Sequence, residues 1–228
     1  MDFFAEIWEL LSSEKYMSML FTGLETTFVV SVFAALLGLL LGTIVALVAI
    51  CPDSKIMLVP KAICKVYVTV IRGTPMALQL FIMMYAIFAI RGFPEQITAV
   101  VAFGINSGAY VSESIRGGIL SVDKGQTEAG RALGLGYGAT MMKIVLPQAI
   151  KNVIPTLGNE FITLLKETSV VSLIAVMDIT KSFQTIGQRT LEVIVPYLML
   201  AVVYLVIILI VTGLVKLLER RLRASDRN

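Results

Sequence analysis

The 228-residue sequence contains no histidine and only two cysteines, Cys51 and Cys64. Without imidazoles no His-ligated metal centre can be built. The two thiols lack metal spacing, and a disulfide framework is not expected from them. Charge is scarce as well: Asp, Glu, Lys and Arg make up 15% of the chain, against ~25% in a typical soluble domain. No G-x-x-x-x-G-K-[ST] phosphate loop occurs, so the chain itself is not expected to bind or hydrolyse ATP. The N-terminus, MDFFAEIWELLSSEK, lacks the basic start of a signal peptide, and the first apolar run therefore reads as a retained span.

What is present is hydrocarbon. Hydrophobic residues make up 57% of the sequence, and the stretches 26–52, 73–90, 96–112 and 193–215 contain no Asp, Glu, Lys or Arg. A spanning helix needs about 20 mainly apolar residues, so each run is long enough or nearly so. Four such runs in so short a chain leave too little polar surface for a soluble core.

Charge distribution sets the expected topology, because Lys and Arg of short loops stay on the cytoplasmic side. Asp2, Glu6, Glu9 and Glu14 against Lys15 place the N-terminus outside. Lys55, Lys61, Lys65 and Arg72 against Asp53 place the next segment inside, and the balanced stretch from Arg91 to Glu95 suits the outside. A long segment with Arg116, Lys124, Arg131, Lys143 and Lys151 is inside, as is the tail with Lys216, Arg220, Arg221, Arg223 and Arg227. Two consecutive inside segments need an even number of crossings between them. One more span must therefore lie near 152–178, despite Glu160, Lys166 and Glu167. The expectation is an all-α membrane protein forming a single transmembrane domain over 1–228. Its five spans lie near 20–50, 74–92, 96–116, 152–178 and 193–217, with the N-terminus outside and the C-terminus cytoplasmic. A cytoplasmic loop over about 117–151 connects spans 3 and 4.

Local signals add detail. Thr74 as N-cap and Pro75 in the first turn predict the start of the second span. The segment 55–71 before it reads as a basic helix along the inner surface. Gly38 and Gly42 form a small-xxx-small pair, read equally as a helix contact or as tolerated membrane glycines. In the fourth span, Thr156, Glu160, Thr163 and Glu167 fall on one helical face, flanked by Asn152 and Asn159. A charge at mid-membrane costs roughly 2.5–3.5 kcal/mol, so this face belongs on a water-filled path or against a partner. For Glu160 the alternative is an ion pair with Lys166. Asn106, Ser107, Tyr110 and Glu113 make the third span more weakly polar, and Glu113 reads equally as a pathway residue or as the partner of Arg116.

The inside loop reads as two short helices. The first covers 127–133 with a small apolar face from Ala129, Ala132 and Leu133, and is ended by Gly134 and Gly136. The second covers 139–145, with Pro147 breaking or bending the chain after it. Such a helix is shaped either for a groove on another protein or for a surface position.

The spacing Glu128-Ala129-Gly130, three residues, Gly134, nine residues, Ile144-Val145-Leu146-Pro147 resembles the EAA loop of ATP-binding-cassette importer permeases, E-A-A-x3-G-x9-I-x-L-P. Gly130 stands where that pattern has its third Ala, which should loosen the helix by ~1 kcal/mol at most. The stretches VIRGTPMALQLFIMMY, AYVSESIRGGILSVDKGQTEAGRALG and LLKETSVVSLIAV resemble the polar amino-acid subfamily of these permeases.

The resemblance implies a non-enzymatic transmembrane subunit of a bacterial inner-membrane importer. It implies no cofactor on this chain, with ATP bound by a partner. Its partners would be a cytoplasmic ATPase pair, a second permease chain that is identical or related, an external substrate-binding protein and the lipid bilayer, with no nucleic acid. It implies that Glu128, Ala129, Gly130, Ala132, Leu133 and Gly134 couple the chain to the ATPase. Glu160 and Asn159, then Glu167, Tyr110, Asn106 and Gln79, are the candidates for contact with the substrate, a polar amino acid with the basic case slightly ahead. Two other classes compete. An ion-coupled secondary transporter favours inverted repeats, which the halves do not show. A non-transporting membrane scaffold leaves the polar face of the fourth span without a purpose.

Overall fold

A computed structural model describes residues 3–224, whose regular structure is all helical, with no strand among them. Asp2 and Arg227, which enter the charge argument, lie outside the described residues. The first half comprises α1 (Phe3–Ser12), α2 (Glu14–Ile50), α3 (Leu58–Arg72), α4 (Met76–Ile82), with a π-helical extension Met83–Ile87, and α5 (Glu95–Leu120). Then come α6 (Lys124–Ala132) and α7 (Tyr137–Thr140), which passes through a π-helical stretch, Met141–Val145, into α8 (Leu146–Glu167). A 3₁₀ segment, Thr168–Ile174, leads to α9 (Ile179–Thr190) and α10 (Ile194–Ala224).

Two helices are long and apolar enough to cross a membrane, Glu14–Ile50 and Ile194–Arg221; the broken pair Leu58–Arg72 and Met76–Ile87 is a third candidate when taken together. At 26 and 22 residues α5 and α8 have the length, but charged side chains interrupt their apolar character.

Hydroxyls within α2 are satisfied locally. Thr27 Oγ1 donates to the Gly23 carbonyl at 3.0 Å, Ser31 Oγ to Thr27 at 2.7 Å and Thr43 Oγ1 to Leu39 at 2.7 Å. Such back-bonding lets a long apolar helix carry Ser and Thr without an orphaned donor.

The chain folds as two compact units, both of which include parts of α2, α5, α8 and α10. The first contains the residues up to 35, 75–104 and 162–211. Its core joins Val30 and Ala34 to Leu80, Ala99, Ala102, Phe103, Leu164, Val171 and Ile174, all nearly inaccessible. Two further clusters seat α9: Ile186 packs with Leu10, Leu20 and Val195, and Ile179 and Phe183 pack with Leu20 and Leu200.

The other unit contains 36–74, 105–161 and the residues from 212 onward. Glycines set its helix spacing. A Cβ at Gly38 would stand 2.5 Å from Ser107 Oγ, and one at Gly42 2.6 Å from Val111 Cγ1. The small-xxx-small pair is thus a contact between α2 and α5. Gly158 plays the same part between α8 and α10, where a Cβ would meet Val215 at 2.5 Å. Tyr67 of α3 donates to the Ile105 carbonyl of α5 at 2.5 Å.

Several expectations are corrected. Thr74 is not the N-cap of the second span: Pro75 occupies that position in extended geometry, and Thr74 Oγ1 donates backwards to Val70 at 2.9 Å. The helix then begins at Met76. The segment read as a basic helix is helical over Leu58–Arg72, as expected, and Tyr67 fastens it to α5. The fourth span begins before 152 and ends its α-helix at Glu167 rather than near 178. Beyond it, Asp178 caps α9 by accepting the Lys181 N–H at 2.8 Å, and Thr27 Oγ1 accepts the Ile179 N–H at 3.1 Å. The hairpin's first helix starts at Lys124 rather than 127, because Asp123 accepts the Gly125 N–H at 2.6 Å. Pro147 does not break the chain. It falls in the first turn of α8, directly after the π-helical stretch, where the wider backbone accommodates a residue with no N–H.

Candidate functional site: a helical hairpin and a charged cluster

Between α5 and α8, the hairpin is built from strong local signals. Its first helix, α6, ends in a complete Schellman motif: Leu135 N–H bonds to the Gly130 carbonyl and Gly134 N–H to the Arg131 carbonyl, both at 3.0 Å. Gly134 has φ +81°, a conformation that glycine adopts without steric penalty. Gly136 does not end the helix as expected; it stands in extended geometry as the N-cap of α7.

Gly130 has a role beyond being small. It is buried, and a Cβ there would lie 2.7 Å from Thr140 Cγ2 and 3.0 Å from Ile144 Cδ1. Its bare backbone lets α6 lie directly on α7 and the π-helical stretch. Gln148 Nε2 donates to Gln126 Oε1 at 3.3 Å, and Asn152 Nδ2 donates to Ser121 Oγ at 2.9 Å. Ile119, Val122, Val145 and Ala149 form an apolar core beneath. Gln126 thus ties α6 to the start of α8, and Asn152 with the apolar cluster ties α8 to the end of α5. Its outward side carries Glu128, Ala129 and Ala132, all exposed, and Leu133, which is 81% exposed. Tyr137 and Met142 extend that bare apolar surface.

A charged cluster lies on α3 and α5 of the same unit. Glu113 accepts a bidentate pair from Arg116, Nε at 3.0 Å and Nη2 at 2.7 Å, with Arg72 Nη1 at 3.7 Å. The pairing reading of Glu113 is the one the structure contains. The Arg72 guanidinium also lies 5.2 Å from the centroid of the Tyr110 ring, within cation–π range. One turn along, Ser114 Oγ donates to Glu160 Oε1 at 3.4 Å, linking α5 to α8. Glu160 is half-buried, whereas Lys166 is exposed; Ser114, not Lys166, is the partner of Glu160.

Of the candidate substrate contacts, Tyr110, Asn106, Asn159 and Glu160 belong to this unit, and Gln79 and Glu167 to the other. Asn106 is buried, Tyr110 and Gln79 are half-buried, and Asn159 and Glu167 are exposed, as are Asn152, Thr156 and Thr163. Sequence reasoning missed Arg72 and Ser114 because their partners are remote in the chain. It missed Asp123 and Asp178 although each offered an N-cap signal ahead of a helix-compatible run.

Long apolar helices, a carboxylate half-buried between α5 and α8, and a capped hairpin tying those helices together define a membrane transport subunit. The family of binding-protein-dependent transport system inner membrane components matches residues 38–224; the chain belongs to this family and is a permease subunit of the amino-acid ATP-binding-cassette importer type. It is 40% identical to the arginine transport system permease protein ArtQ of Bacillus subtilis over 90% of this chain and 92% of that one. It is 38% identical to the L-cystine transport system permease protein TcyB of the same organism, covering 94% and 91%. A crystal structure of an amino acid ABC transporter with histidines superposes with a TM-score of 0.85 at 37% identity, covering 97% of this chain and 99% of that one. An inward-facing MetNI methionine transporter, at 16% identity and a TM-score of 0.74, shares the fold.

Proposed function

We propose that the chain lines the path of a polar amino acid across a bacterial inner membrane, with a basic amino acid the preferred cargo. One transmembrane domain crosses five times, N-terminus outside and C-terminus inside; α2, the broken pair α3–α4, α5, α8 and α10 carry the crossings. A separate ATPase pair docks on the exposed face of α6, a second permease chain completes the pore, and an external binding protein delivers the cargo.

The observation that carries this reading is the chain of contacts from α6 to α8 through Gln126 and Gln148 and from α8 to the end of α5 through Asn152 and Ser121. A partner gripping Ala129, Ala132 and Leu133 pulls on the two helices that hold Ser114 and Glu160 together. When bound to the partner, ATP supplies the energy for closure. The protein's part is to move α5 and α8 with the hairpin, and only ligands that prefer one of the two arrangements can drive the shift.

The half-buried Glu160 carboxylate attracts an α-ammonium or a cationic side chain, with Asn159 and Glu167 on the same helix. Tyr110, Asn106 and Gln79 are weaker candidates, since one face of Tyr110 is already taken by Arg72. The relative named for arginine and the solved transporter described with histidines support a basic cargo, while those named for cystine and glutamine keep the wider polar class open.

Reconstituted vesicles test the proposal. Uptake of radiolabelled arginine that requires both internal ATP and the external binding protein is the expected result. Uptake driven by an ion gradient without ATP would overturn it in favour of a secondary transporter, and no uptake under any condition would favour a scaffold.

A further inference from the structure

Helix α9 and the start of α10 border a cavity of about 600 Å³. Phe183, Gln184, Gly187 and Gln188 lie on one side of α9 at about 100° per residue, and Pro196 and Tyr197 close the cavity from α10. Gly187 lets the chain fold back this tightly: a Cβ there would stand 2.6 Å from the Glu192 carbonyl oxygen. Glu192, in the turn between the two helices, is the one charged residue of the lining. The amides of Gln184 and Gln188 and the Tyr197 hydroxyl are its other polar side chains. None of these four side chains has a hydrogen bond or an ion pair among the described residues. Arg189 does not neutralise Glu192; its Nη1 donates to the Met19 sulfur of α2 at 3.4 Å.

A carboxylate, two amide oxygens and aromatic rings suit a guanidinium or an ammonium, which needs acceptors and stacks on ring faces. An acyl chain would strip water from Glu192 and both amides and return no hydrogen bond. The rim identifies what carries the cation. Leu191 ends α9 with φ +57°, left-handed geometry that strains any residue with a Cβ, and its side chain is 88% exposed. Val193 and Ile194 beside it are 63% and 69% exposed. A free amino acid would fill the cavity and leave this rim bare, whereas a protein surface covers both. We propose that the α9–α10 turn docks the external binding protein, with one of its Lys or Arg side chains entering the cavity against Glu192 and its apolar neighbours packing on Leu191. The inference rests on the partners and the topology proposed above, which put this turn on the outer face.

The test uses the assembled transporter in nanodiscs and its purified, cargo-loaded binding protein. Glu192→Gln removes one charge of an interfacial pair and should raise the Kd about tenfold. High salt should weaken docking to the wild-type complex and hardly change docking to this variant. Leu191→Gly relieves the backbone, so the complex should melt no lower than wild type while docking still weakens; a leucine held for structure alone would leave docking unchanged. In a Cys51→Ser/Cys64→Ser background, Gln188→Cys should react with a membrane-impermeant maleimide from the outer side of right-side-out vesicles, and the loaded binding protein should slow that reaction. This labelling decides alone if Glu192→Gln fails to assemble. Unchanged affinity in either variant, or a Gln188→Cys thiol that is unreactive from outside or unprotected by the binding protein, overturns the proposal. So does protection by millimolar arginine without the binding protein, which would make the cavity a cargo subsite. Uptake that needs no binding protein would instead sink the importer reading itself; uptake that needs it, with normal docking by these variants, removes only the docking site.

Discussion

At Gly38 and Gly42, missing side chains set how closely α2 approaches α5. A Gly42→Leu substitution would force the Val111 side chain and the helix backbone apart, and overpacking of this kind costs about 1–3 kcal/mol. The expected outcome is a lower melting temperature of the purified complex, with α-helical content retained. The glycine pair was readable in the sequence; its partners, Ser107 and Val111, were not, since nothing local specifies which helix lies opposite. The same divide runs through the charged cluster. Glu113 and Arg116 are three residues apart and announce themselves, whereas Arg72 reaches Glu113 only after the chain has turned back. Glu160 was legible as costly in a membrane, but its Ser114 partner was hidden for the same reason. Replacing Glu160 by Gln removes the charge and keeps the shape. Arginine uptake by this variant should fall with a raised KM while the complex still assembles; uptake at unchanged rate and affinity would remove Glu160 from the path.

Among the elements, the hairpin shows what sequence signals decide and where they stop. Gly134 read correctly as a left-handed helix end, because few other residues take φ +81° without strain. The start of α6 was misplaced by three residues because Asp123 had not been recognised as its cap. Asp123→Ala should cost that helix about 1 kcal/mol, visible as faster hydrogen exchange of its first-turn amides with the remainder unchanged. Pro147 suggested a break, yet the π-helical stretch before it absorbs the irregularity and carries the chain into α8 without interruption. The helix α9 was passed over entirely: its polar composition resembled a connecting loop, and only Asp178 and the apolar positions Ile179, Phe183 and Ile186 betrayed it. Gly130 was read as a small-for-small change from Ala that loosens the helix slightly, but the close approach of Thr140 gives the bare backbone a part in the contact. Gly130→Val should therefore impair coupling through the loss of α6 packing, observable as reduced cargo-stimulated ATP hydrolysis at normal expression.

At the scale of the molecule, composition and charge alternation pointed to a multi-span membrane protein and the EAA-loop resemblance to a permease, and the family match agrees. Hydropathy alone marks α2 and α10 clearly, with the broken α3–α4 pair behind them; α5 and α8 are disguised by the charged and polar residues along them. The central claim is that the hairpin is a lever moved by a separate motor. It is tested most directly by measuring ATP-dependent arginine uptake and cargo-stimulated ATP hydrolysis in vesicles that hold the complete complex with Gly134→Asp. Aspartate tolerates left-handed geometry better than most residues, so the chain should fold and reach the membrane, while the new carboxylate beside Leu133 disturbs the docking face. The account predicts assembly without uptake and without stimulation of hydrolysis by cargo. Wild-type uptake and stimulation in that variant, or in one whose hairpin is replaced by an inert linker, would contradict it.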